Sequence, residues 1–178
     1  MMKNVDKISL IFLSWLVIGS TSLYYIKYGN LQLFDPDEEL AKLSSQMKFD
    51  KDVESYFKRK FGNIENIIFH IKSNDCACNI ISASHIIELN DFFSKNNYTI
   101  QYVSAKSHPD LSKFVPSTPA VVIFNNSGRL TYLGPYSSGA YCTASNSFVS
   151  QFSNSIINGT YLGAHVIHDA YGCYCREK

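Results

Sequence analysis

The chain has 178 residues, room for one domain of ordinary size plus extensions. With 46 % hydrophobic residues, 17 % charged residues and a net charge of +1, it is neither a disordered chain nor one carrying the basic field of a nucleic-acid binder. Five cysteines form an odd set, Cys76, Cys78, Cys142, Cys173 and Cys175, four of them in two distant Cys-x-Cys pairs. A lone cysteine is ordinarily a small buried hydrophobe, but two such pairs are not a packing pattern.

Residues Ile8 to Ile26 carry no charge and would form a helix of about 28 Å at ~1.5 Å per residue. Lys3 and Lys7 precede this run, and the acids Asp35, Asp37, Glu38 and Glu39 follow Lys27. That bias puts the N-terminus in the cytoplasm and exports the rest, so residues 1–27 are predicted to be a signal anchor, a single transmembrane helix. A cleaved signal peptide competes, with an apolar region over Ile8 to Ile18 and Ser20-Thr21-Ser22 as cleavage site. Both readings put the cysteines where disulfides persist.

Residues 28–62 read as a spacer and N-terminal helical region. Asp35-Pro36-Asp37 has the composition of a helix start, with Asp35 as N-cap. Leu40, Leu43, Met47, Val53, Phe57 and Phe61 suit one or two amphipathic helices, which Gly62 ends. Asn66 to Lys72 is a compact, β-branched run expected to be a buried strand. Cys76 to Asn97 reads as a helix and Tyr98 to Val103 as the next strand. After a polar connection, Ala120 to Phe124 is a core strand, Asn125-Asn126-Ser127-Gly128 a hairpin turn, and Leu130 to Tyr136 the answering strand. Thr143 should cap a closing helix that runs to Ile157. The tail, 158–178, is rich in glycine and aromatics and ends with Cys173 and Cys175. The sum is an α/β domain, a mixed sheet flanked by helices, over 63–157. Its first cysteine pair sits at a helix start, where free N–H groups and the helix dipole stabilise a thiolate.

With these residues placed, the chain resembles the thioredoxin-like superfamily. The likeness rests on the strand Ile67 to Ile71 before Cys76-Ala77-Cys78, on Thr118-Pro119 directly before Ala120 to Phe124, and on the hairpin that follows. Within the superfamily it is most like poorly characterised, membrane-anchored, exported bacterial proteins with a CxC pair. The resemblance implies thiol–disulfide exchange at Cys76 and Cys78 and a cis proline at Pro119 facing them. It implies a substrate groove shaped by Pro119, with Thr118 offering backbone hydrogen bonds to an extended peptide. It also suggests His70 as a candidate proton relay, beside the plainer reading of a hydrogen-bonded core histidine. Partners would be exported protein thiols or disulfides and a membrane or periplasmic redox protein. The location would be the inner membrane with the domain in the periplasm, and no cofactor or nucleic acid is implied.

Two departures bear on mechanism. The superfamily motif is CxxC, whereas one residue separates the cysteines here, so a Cys76–Cys78 disulfide would close a smaller ring. Asp75 precedes the motif, where it would either oppose a thiolate or cap the helix. Cys142 follows the last core strand and is expected on the same side as Cys76, Cys78 and Pro119, as a third active-site thiol. Cys173 and Cys175 remain open: they could pair with each other, with Cys142, or serve as a second redox couple. The tail is long enough to reach back across a small domain at ~3.3 Å per residue. Four thiols could instead hold copper or zinc, with His70, His85, His108, His165 or His168 in reserve. A third reading is a binding module that kept the fold and lost catalysis.

Overall fold

The structure is a computed structural model that describes residues 4–29, 31–159 and 163–177. Lys3 and positions 160–162 of the tail lie outside the described residues. In chain order the elements are α1 (Asn4–Tyr28), β1 (Leu31–Leu33), α2 (Glu39–Ser44), α3 (Phe49–Phe61), β2 (Ile67–Lys72), α4 (Cys78–Lys95) and β3 (Thr99–Ser104). There follow β4 (Ser117–Thr118), β5 (Ala120–Phe124), β6 (Leu130–Pro135), α5 (Phe148–Ile157), β7 (His165–Val166), β8 (Tyr171–Cys173) and β9 (Cys175–Arg176), with short 3₁₀ turns between.

Within α1, the stretch Lys7–Tyr25 is long and apolar enough to cross a membrane, and none of it is buried against the rest of the protein. Three of its hydroxyls are absorbed locally. Ser14, Ser20 and Thr21 donate to the carbonyls of Ile11, Leu16 and Val17 at 2.8, 2.6 and 2.8 Å, so no polar side-chain hydrogen of these three needs an outside partner.

The central sheet has five strands in the order β3-β2-β5-β6-β7. β2 runs parallel to β3 and antiparallel to β5, β5 is antiparallel to β6, and β6 is parallel to β7. The sequence of β5 explains its place. All five residues are apolar and buried, as a strand covered on both faces demands. Val121 and Ile123 point to one face, with Ile68, Ile86, Leu89, Phe93, Val149 and Ile156, under α4 and α5. Val122 and Phe124 point to the other, with Phe69, Leu40, Val53 and Phe57, under α2 and α3. That second face also takes Phe34 from the spacer region and Ala170 and Tyr174 from the tail.

Several local signals resolve differently from their sequence reading. Asp35 does not sit at the N-cap; a turn over 35–38 brings its buried carboxylate back to accept from Glu39 N at 3.1 Å and Ala41 N at 2.8 Å. The residue can thus cap α2 from a distance, because a carboxylate has two acceptor oxygens. Thr143 caps a separate 3₁₀ turn, Ala144–Asn146, and Ser147 caps α5 by accepting from Ser150 N at 3.1 Å. The region 40–61 divides into two helices, and Gly62, at φ 82°, ends the second with a conformation that side chains disfavour. The tail adds three strands that the sequence did not announce.

Candidate functional site

The site assembles at the end of β2. Ser73 O accepts from Cys76 N at 3.2 Å and from Asn79 Nδ2 at 2.6 Å, closing the turn that presents Cys76 one step before α4. Asp75 does not cap the helix, whose N-cap is Ala77 without a side-chain bond; it projects into solvent and pairs with Lys106. Its negative charge is therefore spent on an exposed lysine and not on the helix start. Opposite Cys76 stands the β4 loop. The Thr118–Pro119 peptide is cis, and Cys76 Sγ lies 3.6 Å from Thr118 O.

The tail enters this space as a strand. β9 pairs antiparallel with β4, Cys175 opposite Thr118 and Arg176 opposite Ser117. Glu177 N donates to Pro116 O at 2.9 Å, and Thr118 Oγ1 donates to Glu177 Oε1 at 2.7 Å. Further back β8 pairs with β1, and Tyr174, buried, donates to Ser137 O and packs edge-on against Phe34. Arg176 also pairs with Asp37.

The disulfides are Cys76–Cys175 and Cys78–Cys173, with Cα separations of 5.7 and 5.5 Å. Neither Cys-x-Cys motif closes on itself, so a Cys76–Cys78 bridge, or one between Cys173 and Cys175, is not the state seen. The reason is spacing. Residues two apart on an extended strand share a side, so Cys173 and Cys175 present two sulfurs to two sulfurs at the helix start. The sulfurs of Cys76, Cys78 and Cys175 lie within 4.8 Å of one another, and no histidine joins that cluster among the described residues.

The two bridges differ in access. Cys76–Cys175 borders a groove of about 580 Å³ that Asp75, Lys106, Arg176 and Glu177 line with charge. Cys78–Cys173 faces a cavity of about 20 Å³, shared with Pro119, Tyr136, Tyr174 and Cys142. Cys142 is the one free thiol and is buried. Burial pushes its pKa up, a hydrogen bond with Ser137 opposes this, and Glu88 adds to the rise, so it rests as a thiol.

His70 lies on β2, fully buried, its ring near-parallel to those of Tyr102 and Tyr136 at centroid distances of 5.0 and 5.7 Å. Nε2 meets Asn90 Oδ1 at 2.7 Å and Nδ1 meets the Tyr136 hydroxyl. An amide oxygen only accepts, so Nε2 carries the proton and Nδ1 accepts from Tyr136. Desolvation lowers the His70 pKa to about 4, with Lys72 adding to the fall and the bond to Asn90 opposing it. At neutral pH the ring is neutral and both nitrogens are satisfied. Because the folded value lies below the ordinary 6.5, the unfolded chain binds the extra proton first as pH drops. Stability should therefore be complete above pH 6.5 and fall by about 3 kcal/mol as pH approaches 4. Denaturation at stepped pH should show this loss, and His70→Gln, which cannot titrate, should flatten it.

Sequence reasoning placed Cys76, Cys78, Cys142, Thr118 and Pro119 close together, and the structure brings them together with Cys173 and Cys175. It missed Tyr136 and Asn90, the partners of His70, and Glu177, the partner of Thr118. These are polar residues in ordinary local sequence, and only the acid directly after Cys175-Arg176 had a neighbourhood that could have drawn notice.

Residues 45–177 match the family described as a domain of unknown function (DUF6436), and the chain belongs to it. No curated protein matches. Among solved structures the chain is similar to a hypothetical protein from Sinorhizobium meliloti 1021, at 11 % identity and a TM-score of 0.44, over 63 % of this chain and 78 % of that one.

Proposed function

We propose that this member of the family is a membrane-anchored, exported thiol–disulfide oxidoreductase of thioredoxin-like build, acting on protein thiols or disulfides. One observation carries the reading. Cys76 is bonded to a cysteine on an extended strand, and that strand pairs with Thr118 beside a cis proline. This is the arrangement a mixed disulfide with a peptide would need, with backbone hydrogen bonds fixing the strand and sulfur meeting sulfur. The strand order β3-β2-β5-β6, with the cysteines after β2 and Pro119 before β5, supports the thioredoxin-like description.

In the working cycle Cys76 attacks a substrate disulfide as thiolate, forming a mixed disulfide and releasing one substrate thiolate. Cys78 then attacks Cys76, the second substrate sulfur leaves with the electron pair, and Cys76–Cys78 forms. The reverse order oxidises a dithiol, and a membrane or periplasmic redox partner resets the pair. Cys142, held as a thiol by burial, is a slow alternative resolver. The test is reduction of a protein disulfide, such as insulin's, by the dithiol-primed full chain. Cys76→Ser should lower the rate by at least a hundredfold, and equal background rates in both proteins would refute the reading.

A second reading has an observation of its own. If the bridges are reduced, the three sulfurs within 4.8 Å and their neighbour Cys173 offer a soft site for Cu(I) or Zn²⁺. Stoichiometric metal by elemental analysis of the reduced protein, with the thiols shielded from alkylation, would favour it over exchange.

A further inference from the structure

We infer that the tail is a built-in exchange partner of the Cys76–Cys78 motif, and that a single two-electron reduction unlocks both bridges. The inference rests on the oxidoreductase reading and concerns the regulation of that same site. The tail strand holds the β4 edge that an incoming peptide would use, so the resting site is closed by its own chain.

Three observations set the order of events. First, the Cys76–Cys175 bridge borders the large charged groove of about 580 Å³, whereas the other borders a narrow cavity of about 20 Å³. Second, Cys76 and Cys78 sulfurs are within 4.8 Å although each is bonded to a different tail cysteine. Third, the hold on the tail is uneven. Tyr174 is buried and hydrogen-bonded to Ser137 O, whereas β9 is two residues long and its Arg176–Asp37 ion pair is partly exposed. A short edge strand with solvent-facing contacts opens more readily than a buried aromatic anchor.

An external dithiol therefore attacks Cys175 Sγ from the groove, forming a mixed disulfide, and Cys76 leaves as thiolate. The reductant's second thiol closes on its own partner sulfur, releasing Cys175 as a thiol. Cys76 then attacks Cys78 Sγ, forming Cys76–Cys78, and Cys173 leaves as thiolate and takes a proton. Two protein disulfides and one external dithiol become one protein disulfide, two tail thiols and one external disulfide. Residues 175–177 are then free to leave β4 while Tyr174 keeps the rest of the tail in place. What remains is an oxidised Cys76–Cys78 pair beside an open strand edge, suited to a cysteine-bearing extended segment.

The experiment is a titration of the full chain in detergent with one equivalent of dithiothreitol, followed by acid quench, alkylation and peptide mass mapping. The expected product carries label on Cys173 and Cys175 and an internal disulfide at Cys76–Cys78. Label on Cys76 and Cys175 with Cys78–Cys173 intact would overturn the inference, as would a mixture of only fully oxidised and fully reduced chains. A parallel assay separates this from the oxidoreductase reading. Cys173→Ser/Cys175→Ser, isolated with Cys76–Cys78 oxidised, should exchange with a model dithiol peptide without the lag shown by the full chain, which the peptide must first open. If that variant exchanges but mapping shows no Cys76–Cys78, the tail inference falls and the oxidoreductase reading stands. If mapping shows Cys76–Cys78 and the variant, shown folded by circular dichroism, is inert, the reverse holds.

Discussion

Replacing both tail cysteines, Cys173→Ser with Cys175→Ser, should destabilise the domain by roughly 6–7 kcal/mol, while either single replacement should cost only about 2. The asymmetry follows from nesting. Each bridge spans a long stretch, 99 residues for Cys76–Cys175 and 95 for Cys78–Cys173. Closing one loop of that size removes chain entropy worth about 4.7 kcal/mol from the unfolded state. Once it is closed, the second bridge ties only a ring of a few residues, worth about 2. A single replacement therefore leaves the long closure in place and forfeits the small one. Guanidinium unfolding of the two single variants and the double variant, in one detergent, measures this. A double variant equal to the sum of the singles would contradict nested loops.

Phe57→Ala should cost about 3–5 kcal/mol, the range for a large aromatic removed from a packed core. Phe57 is fully buried and its ring meets Phe69 at 4.9 Å, Phe124 at 5.2 Å, Phe61 at 5.5 Å and Tyr56 at 5.6 Å. Two of those rings belong to β2 and β5, so the lost side chain leaves a hole between α3 and the sheet. Phe57→Leu should lose less, because it keeps most of the apolar volume. A shift in the urea midpoint without a change in slope would report this as a loss of packing. The result matters for the site, because the β2 and β5 that Phe57 supports also lead into Cys76 and out of Pro119.

Much of this architecture was readable because its elements are locally consistent. β5 is an unbroken apolar run that needs two covered faces, and Asn125 to Gly128 is a turn by composition, so both emerged at their expected places. The cysteine turn was readable for a similar reason, since a strand, a polar loop and a helix follow within a few residues. The tail was not. β7, β8 and β9 are two or three residues long and are strands only because β6, β1 and β4 lie beside them. No periodicity survives in two residues. The pairing of Cys76 with Cys175 was hidden for the same reason, since it depends on a register between β4 and β9 that no local signal encodes. His70 shows the other limit. Its place on a strand was evident, but its low pKa comes from burial by distant segments, and its partners Asn90 and Tyr136 lie 20 and 66 residues away.

The nested bridges also impose an order in time. Cys76 and Cys78 are synthesised 99 and 95 residues before the cysteines they bond. At about 5–20 residues per second, that is an interval on the order of 5–20 seconds. Under the proposed export to a compartment that oxidises thiols, Cys76 and Cys78 arrive there before any other cysteine of the chain. A Cys76–Cys78 bond is then the natural early product of biosynthesis; Cys173 later displaces Cys76 from Cys78, and an external disulfide takes up the two electrons released as Cys76 and Cys175 close the second bridge. With the same dithiol–disulfide couple as co-reactant, maturation and opening are one reaction read in opposite directions, and the couple's redox poise sets which way it runs.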